Sequence, residues 1–263
     1  MELIDFAVPR FSLAEYAPTK LVLFPEVFLQ GWCVDAGPYS STYERVARDI
    51  AIRIPGEETE LLAEKARKWK IYIAGTAMEV DPDINPNYIF NSGFVIGPKG
   101  DIVYKRHKYH PAISQAGISK SHPTDGISPH DLYDKYLEVM DGKYGRKKGD
   151  ALSCLFPVLE TDIGKLGYII CMEGFFTESY RAMGIQGCEV MLRSSGNVIP
   201  WGQPPYDSWE LQNRSAAQSN MMYVLACNPG DMTGGGYPQK FWTGDSMIVD
   251  FNGALMCRQT SGG

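Results

Sequence analysis

Apolar residues in this chain collect in short runs of strand length rather than in long tracts. LVLF (21–24), IYIAGTAM (71–78), YIFNSGFVIG (88–97), IVY (102–104), LGYIIC (166–171), EVML (189–192), MMYVLAC (221–227) and MIVDF (247–251) are rich in Val, Ile, Phe and Tyr. Several stop at Gly, Pro or Asn, as buried strands do. Between them lie three stretches of helical character. GEETELLAEKARKW (56–69) has acids in its first turn, bases in its last, and Leu62, Ala66 and Trp69 on one face. TESYRAMGIQG (177–187) opens on a candidate Thr cap, and DSWELQNRSAAQSN (207–220) sets Asp207 three residues before Glu210, in the manner of a capping box.

Alternation of strands and helices predicts an α/β protein whose sheets are covered on at least one face. The runs at 88–104, joined by GPKGD, read as a hairpin, so mixed sheets are expected rather than a purely parallel one. From 110 to 149 the periodicity lapses into polar, Gly- and Pro-containing sequence, the pattern of a functional lid or a disordered segment. No repeat divides the chain, and one domain over residues 1–263 is expected.

Composition narrows the function classes. With 263 residues, 44% of them apolar, the chain can bury a sizeable core. A net charge of -6 with no long basic run gives no electrostatic footprint for nucleic acid. No window reaches the ~18 apolar residues of a membrane span, and MELIDFAVPR lacks the basic start and apolar stretch of a signal peptide. A soluble, cytoplasmic protein that binds neither membrane nor nucleic acid is the expectation. Six scattered cysteines without a Cys-x-x-Cys pair are read as reduced thiols.

Three residues carry candidate chemistry. Glu26 follows LVLFP, Lys108 follows IVYKRH, and Cys171 ends LGYIIC. Singly, each has an ordinary alternative: a carboxylate satisfied by turn amides, a solvated lysine, a buried core thiol. A strand delivers each of them, however, so all three can project from one sheet edge, where open α/β folds bind ligands. Desolvation suits Glu26 to act as a base near neutrality, and a strand-to-helix connection favours a thiolate at Cys171. Carboxylate, ammonium and thiol together supply the base, the oxyanion partner and the nucleophile of acyl transfer.

FPE (24–26), GPKGDIVYKRHK ending at Lys108 and GKLGYIICMEGFFTE around Cys171 resemble, in order, the three signature blocks of the nitrilase superfamily of carbon-nitrogen hydrolases. The resemblance covers roughly residues 20–255. It implies a four-layer α-β-β-α sandwich, a Glu26–Lys108–Cys171 triad without metal or organic cofactor, a small-molecule amide or nitrile substrate, and a homo-oligomer. EVMLRSSG (189–196) and WELQNRSAAQSNMMYVLACNPG (209–230) are most similar to the aliphatic amidase and formamidase branch. Cys171-Met172-Glu173 echoes the Cys-Trp-Glu of nitrilases, and the segment after Lys108 is more like that of N-carbamoyl amino acid hydrolases. Many relatives use a second glutamate to position substrate, a role that falls here to Glu138. Met172, Glu173 and Trp201 complete the expected substrate contacts, and Trp32, Phe175 and Trp209 are further pocket candidates. By the same comparison the chain is short at both ends.

Two rival readings remain. All four histidines, His107, His110, His122 and His130, fall within 24 residues and invite a zinc site, although Pro111 and the strand signals argue against the helix that His-x-x-His would need. His110 is expected instead to order the turn carrying Lys108. A non-catalytic scaffold of the same fold is the other rival, and it has no physical need for all three groups.

Overall fold

The apolar runs of the first half form one sheet and those of the second half another. The computed structural model describes residues 1–12, 17–31, 46–110, 113–114, 117–118, 129–147, 149–196, 207–230, 242 and 244–259. Strands β1 (Leu21–Leu23), β2 (Tyr72–Glu79), β3 (Phe90–Ile96) and β4 (Ile102–His107) lie side by side in chain order. β1 is parallel to β2, and β3 and β4 each run antiparallel to their predecessor. β1 and β4 therefore point the same way, and their C-terminal ends share an edge. A two-residue pair, β5 (Ile113–Ser114) and β6 (Gly117–Ile118), stands apart.

The second sheet contains β7 (Leu159–Thr161), β8 (Gly164–Ile170), β9 (Val190–Ser194), β10 (Tyr223–Cys227), β11 (Met247–Val249) and β12 (Leu255–Arg258), in the reverse of chain order across the sheet. Its three inner strands β8, β9 and β10 are parallel, and antiparallel strands flank them. Both sheets are mixed, as the hairpin signal predicted.

Alternation along the strands sorts the side chains into layers. Tyr72, Ala74, Val95 and Tyr104 of the first sheet meet Leu166, Tyr168, Ile170 and Leu192 of the second in an inner layer. On the outer face of the first sheet, Ile73, Ala77, Phe94 and Ile96 receive Ile4 and Val8 of helix α1 (Glu2–Phe11) and Leu62, Ala63 and Ala66 of α2 (Glu57–Trp69). On the other side, Ile169, Met191 and Val224 pack with four helices, α3 (Tyr133–Tyr144), α4 (Ala151–Leu155), α5 (Thr177–Gly184) and α6 (Ser208–Asn220). This is the expected α-β-β-α sandwich.

Several local expectations change. α1 escapes a sequence reading because Pro9 lies inside it, and α3 occupies part of the stretch read as a lid or disordered segment. The capping box at Asp207 does not form: its backbone is left-handed (φ 40) and its side chain makes no cap bond. Thr177 is the first helical residue of α5 and Phe176 takes the cap position. The five cysteines within the described residues are free thiols. No described helix is long and apolar enough to cross a membrane.

The two sheets approach closely at a position without a side chain. A Cβ at Gly93 of β3 would run into the Tyr168 ring of β8. Gly93→Ala is accordingly expected to destabilise the fold by about 1–3 kcal/mol, as overpacked cores do. Gly142, exposed on α3 with open space at its Cβ position, provides the contrast. Gly142→Ala should be stabilising by about 0.4–1 kcal/mol. Urea unfolding midpoints of the two variants check both signs.

Candidate active site

Three strand ends converge on one edge of the sandwich. After β1 the chain turns at 26–30 and folds back over the end of β2. Val27 reverses the chain with φ 47, an unfavourable conformation for a β-branched residue. Its N–H donates to Thr76 Oγ1 at 2.6 Å, and Gln30 and Met78 exchange side-chain-to-backbone hydrogen bonds of 3.0 and 3.3 Å. β1 and β4 are three strand spacings apart, about 14 Å, so this turn is what carries Glu26 across towards β4.

There, Glu26 Oε1 accepts from Lys108 Nζ at 2.9 Å and from Asn91 Nδ2 at 2.8 Å. Asn91 also accepts the Lys108 N–H on its backbone carbonyl at 2.8 Å, fixing the lysine's own peptide. Glu26 and Lys108 are each 2% exposed. Among the described residues, Glu26 Oε2 is buried and takes no hydrogen bond. A carboxylate oxygen left open beside a satisfied one is an acceptor held in reserve.

Cys171 directly follows β8 and opens a 3-10 turn, Cys171–Phe175, in a left-handed conformation with φ 47. The other left-handed non-glycine residues include the helix C-caps Lys70 and Met221; Val27 and Cys171 instead follow strands that deliver candidate site residues. The Cys171 carbonyl accepts from Arg193 Nη2 at 3.3 Å. Burial and the negative charge of Glu26 push its thiol up to about 12, against the opposing pull of Lys108, the Gly196 amide and the Ser195 hydroxyl. These influences favour a neutral thiol over the thiolate that its position at a turn suggested, because desolvation and a carboxylate outweigh the lysine, the amide and the hydroxyl.

Buried charges surround Glu26, Lys108 and Cys171, and several were invisible in sequence. On the outer face of β4, Lys105 Nζ lies 2.6 Å from Glu79 and 2.7 Å from Asp81. Burial alone would raise Glu79, but His107 and Lys105 bring it down to about 2. Burial lowers His107 despite Glu79 at 3.3 Å, so its ring is neutral. Glu79, Asp81 and His107 have the donor set of a metal site, yet the Lys105 ammonium already supplies the cation between the two carboxylates. Of the other histidines, His110 stacks on Phe176 (ring centroids 4.2 Å apart) and borders Tyr109, while His122 and the side chain of His130 lie outside the described residues. His107 thus faces Glu79 and Tyr136, while His110 faces Phe176 and Tyr109.

The expected substrate contacts separate. Met172, half-buried, adjoins Cys171. Glu173 does not face a cavity: it is fully buried and bonded on both oxygens by Arg106 and by the Tyr109 and Ile170 amides. A bidentate partner and two backbone donors saturate its acceptor positions, which corrects the reading of Glu173 as a substrate contact. Glu138 is exposed on α3, and Trp32 and Trp201 lie outside the described residues. Phe175 is 39% exposed, whereas Trp209 is core, with the Arg193 guanidinium over its ring. Asn91, Thr76 and Arg193 were missed. Their signal was a polar residue interrupting an apolar run.

The carbon-nitrogen hydrolase family profile matches residues 10–262, and the chain belongs to that family. It is 28% identical over 244 residues to a formamidase of Helicobacter acinonychis (strain Sheeba), covering 92% of this chain and 59% of that protein. A formamidase of Bacillus cereus (strain B4264) is 27% identical over 242 residues, covering 92% and 58%. The chain thus spans about three-fifths of the length of these relatives. Among solved structures, Saccharomyces cerevisiae Nit3, a member of branch 10 of the nitrilase superfamily, superposes with a TM-score of 0.68 at 23% identity, covering 99% of this chain and 79% of that one. An amidase of Nesterenkonia sp. AN1 superposes with a TM-score of 0.67 at 15% identity, covering 100% and 80%.

A neutral Cys171 makes a pH prediction. With the thiol held at about 12, the thiolate fraction grows tenfold per pH unit through pH 7–9. Iodoacetamide labelling of Cys171, followed by peptide mass spectrometry in a Cys257→Ser background that removes the exposed thiol, should rise tenfold per unit over that range. A plateau reached below pH 8 would show a preformed thiolate instead.

Proposed function

We propose that the protein is an amidohydrolase that converts a small carboxamide to the carboxylate and ammonia through a thioester on Cys171. The observation that carries this reading is the buried Glu26–Lys108 pair at 2.9 Å, with the second Glu26 oxygen open and the thiol under the influence of both charges. Base, cation and nucleophile in one desolvated place are what attack on an amide carbon needs. The family assignment and the formamidase relatives support amide hydrolysis, and formamide is the first substrate to test. In the Nesterenkonia amidase, the acetamide moiety of fluoroacetamide adds covalently to the active-site cysteine.

In this mechanism Glu26 takes the Cys171 proton as sulfur attacks the carbonyl carbon. The oxyanion is held by the Lys108 ammonium and the Met172 amide. Collapse breaks the C–N bond, and the proton on Glu26 leaves with ammonia. Glu26 then deprotonates a water that attacks the thioester; the C–S bond breaks, and sulfur regains a proton. Met172 is retained as a substrate contact because it adjoins the nucleophile. Glu138 and Trp201 are retained on the resemblance alone.

Ammonia release from formamide, acetamide, an N-carbamoyl amino acid and a short nitrile tests the reading. Turnover of an amide is expected, with an acyl adduct on Cys171 visible by mass spectrometry after rapid acid quench. Cys171→Ala should abolish both. Release from the nitrile or carbamoyl substrate alone would overturn the amide assignment. Lys108→Arg and Lys108→Ala should each lower kcat by ~10²–10³, the usual loss on removing one oxyanion donor. A planar guanidinium cannot take the compact ammonium's place, so near-normal turnover by Lys108→Arg would reassign the oxyanion partner.

A further inference from the structure

The carboxylate of Glu173 joins the two halves of the site. Its Oε1 accepts from the Tyr109 amide at 2.7 Å and from Arg106 Nη2 at 2.7 Å; its Oε2 accepts from the Ile170 amide at 2.7 Å and from Arg106 Nη1 at 2.5 Å. Tyr109 is the residue after Lys108, and Ile170 is the residue before Cys171. One buried side chain therefore holds the peptide that leaves Lys108 and the peptide that enters Ile170, the residue before Cys171, each by a charge-assisted bond.

Arg106 tightens the same junction. From the first sheet it reaches the Tyr168 carbonyl of β8 at 3.1 Å and the Leu155 carbonyl at 3.1 Å. Beyond it, the His110 ring stacks on Phe176, a second bridge between the lysine segment and the cysteine turn. The Glu173 bond to Ile170 also closes the 3-10 turn from position three back to its cap, as a capping box does, and so braces the left-handed backbone of Cys171.

We propose that Glu173 is a positioning residue that sets where the Lys108 ammonium stands relative to the Cys171 sulfur, and thereby governs the acylation step without touching substrate. The proposal rests on the reading of Glu26, Lys108 and Cys171 as the reacting groups. Its first consequence concerns kcat. Glu173→Gln keeps the size but puts an NH2 donor against N–H groups that need an acceptor, so the two peptides separate. kcat for the amide is expected to fall by at least ~30-fold with KM within ~3-fold of wild type.

The second consequence needs no substrate. Lys108 favours the thiolate, so if the clamp holds it in place, Glu173→Gln should slow iodoacetamide labelling of Cys171 at pH 8, by at least ~3-fold on the scale of one displaced charge. A side chain that served only stability would loosen the site and speed labelling. The neutral pair Arg106→Gln/Glu173→Gln removes both charges, restores thermal stability towards wild type, and still lacks the acceptor that spans the two amides.

All variants carry Cys257→Ser and are assayed where circular dichroism shows them folded. Slow labelling and low kcat persisting in the double variant support the clamp. Recovery of both with stability would overturn it, as would faster labelling in Glu173→Gln or a raised KM at unchanged kcat. If the wild type turns over no amide, the proposed function fails, while the labelling arm still decides the clamp.

Discussion

A buried strand that carries four consecutive titratable side chains is the constraint around which this molecule is arranged. Lys105, Arg106, His107 and Lys108 are each at most 2% exposed, and an unpaired charge at such depth costs several kcal/mol. Alternation sends Lys105 and His107 to the outer face of the first sheet and Arg106 and Lys108 inward. The partners must therefore come from different places. Glu79 and Asp81 come from the end of β2, Glu173 crosses from the second sheet, and Glu26 is swung over by the turn after β1. Each pairing drags a separate segment to the same strand end, so satisfying these cations also assembles the site.

Burial on this scale explains why strain is tolerated nearby. Val27 and Cys171 are both left-handed, at a cost of order 1–3 kcal/mol each. Neither conformation has a local reason, and each is over-determined by its surroundings. Thr76 holds the Val27 amide, Arg193 holds the Cys171 carbonyl, and Glu173 closes the turn that follows. Gly174 belongs to the same device, because a Cβ there would run into the Arg193 guanidinium. Breaking a buried charged contact from one side only costs about 3–5 kcal/mol, which makes this frame stiff where the geometry needs it.

Much of this was legible in sequence for a physical reason. Strand runs with period-two burial, the GPKGD hairpin and the acidic-to-basic helix 56–69 are local signals, and they became β1–β4, β8–β11 and α2 with boundary shifts of at most three residues. The three chemical groups could be located because each directly follows or closely trails such a run. Partners were not legible. Nothing local says that Glu173, two residues from Cys171, turns inward to Arg106, or which acids will meet Lys105 and Lys108 on the opposite faces to which alternation sends them. α1 and α3 were hidden by Pro9 and by a polar surface whose few core residues, Tyr136, Leu137 and Met140, show only against the packed sheet.

The neutral state of Cys171 bears on the kind of chemistry the site suits. A thiolate already formed would have surrendered its proton to solvent, and an amine leaving from a tetrahedral intermediate would then find no acid beside it. With the thiol pushed up by burial and by Glu26, the proton stays within the site until an electrophile arrives. On the proposed mechanism it then passes to Glu26 Oε2, a buried oxygen that takes no hydrogen bond among the described residues, and the departing nitrogen takes it from there. Lys108 holds the other oxygen of the same carboxylate, so the ammonium fixes the base in place as well as favouring negative charge on substrate. A thiolate that had lost its proton to solvent would need a separate acid for that nitrogen, whereas one whose proton rested on Glu26 would not. On the proposed reading, the one carboxylate that Lys108 holds serves both directions of proton transfer, which suits a leaving group that departs as ammonia.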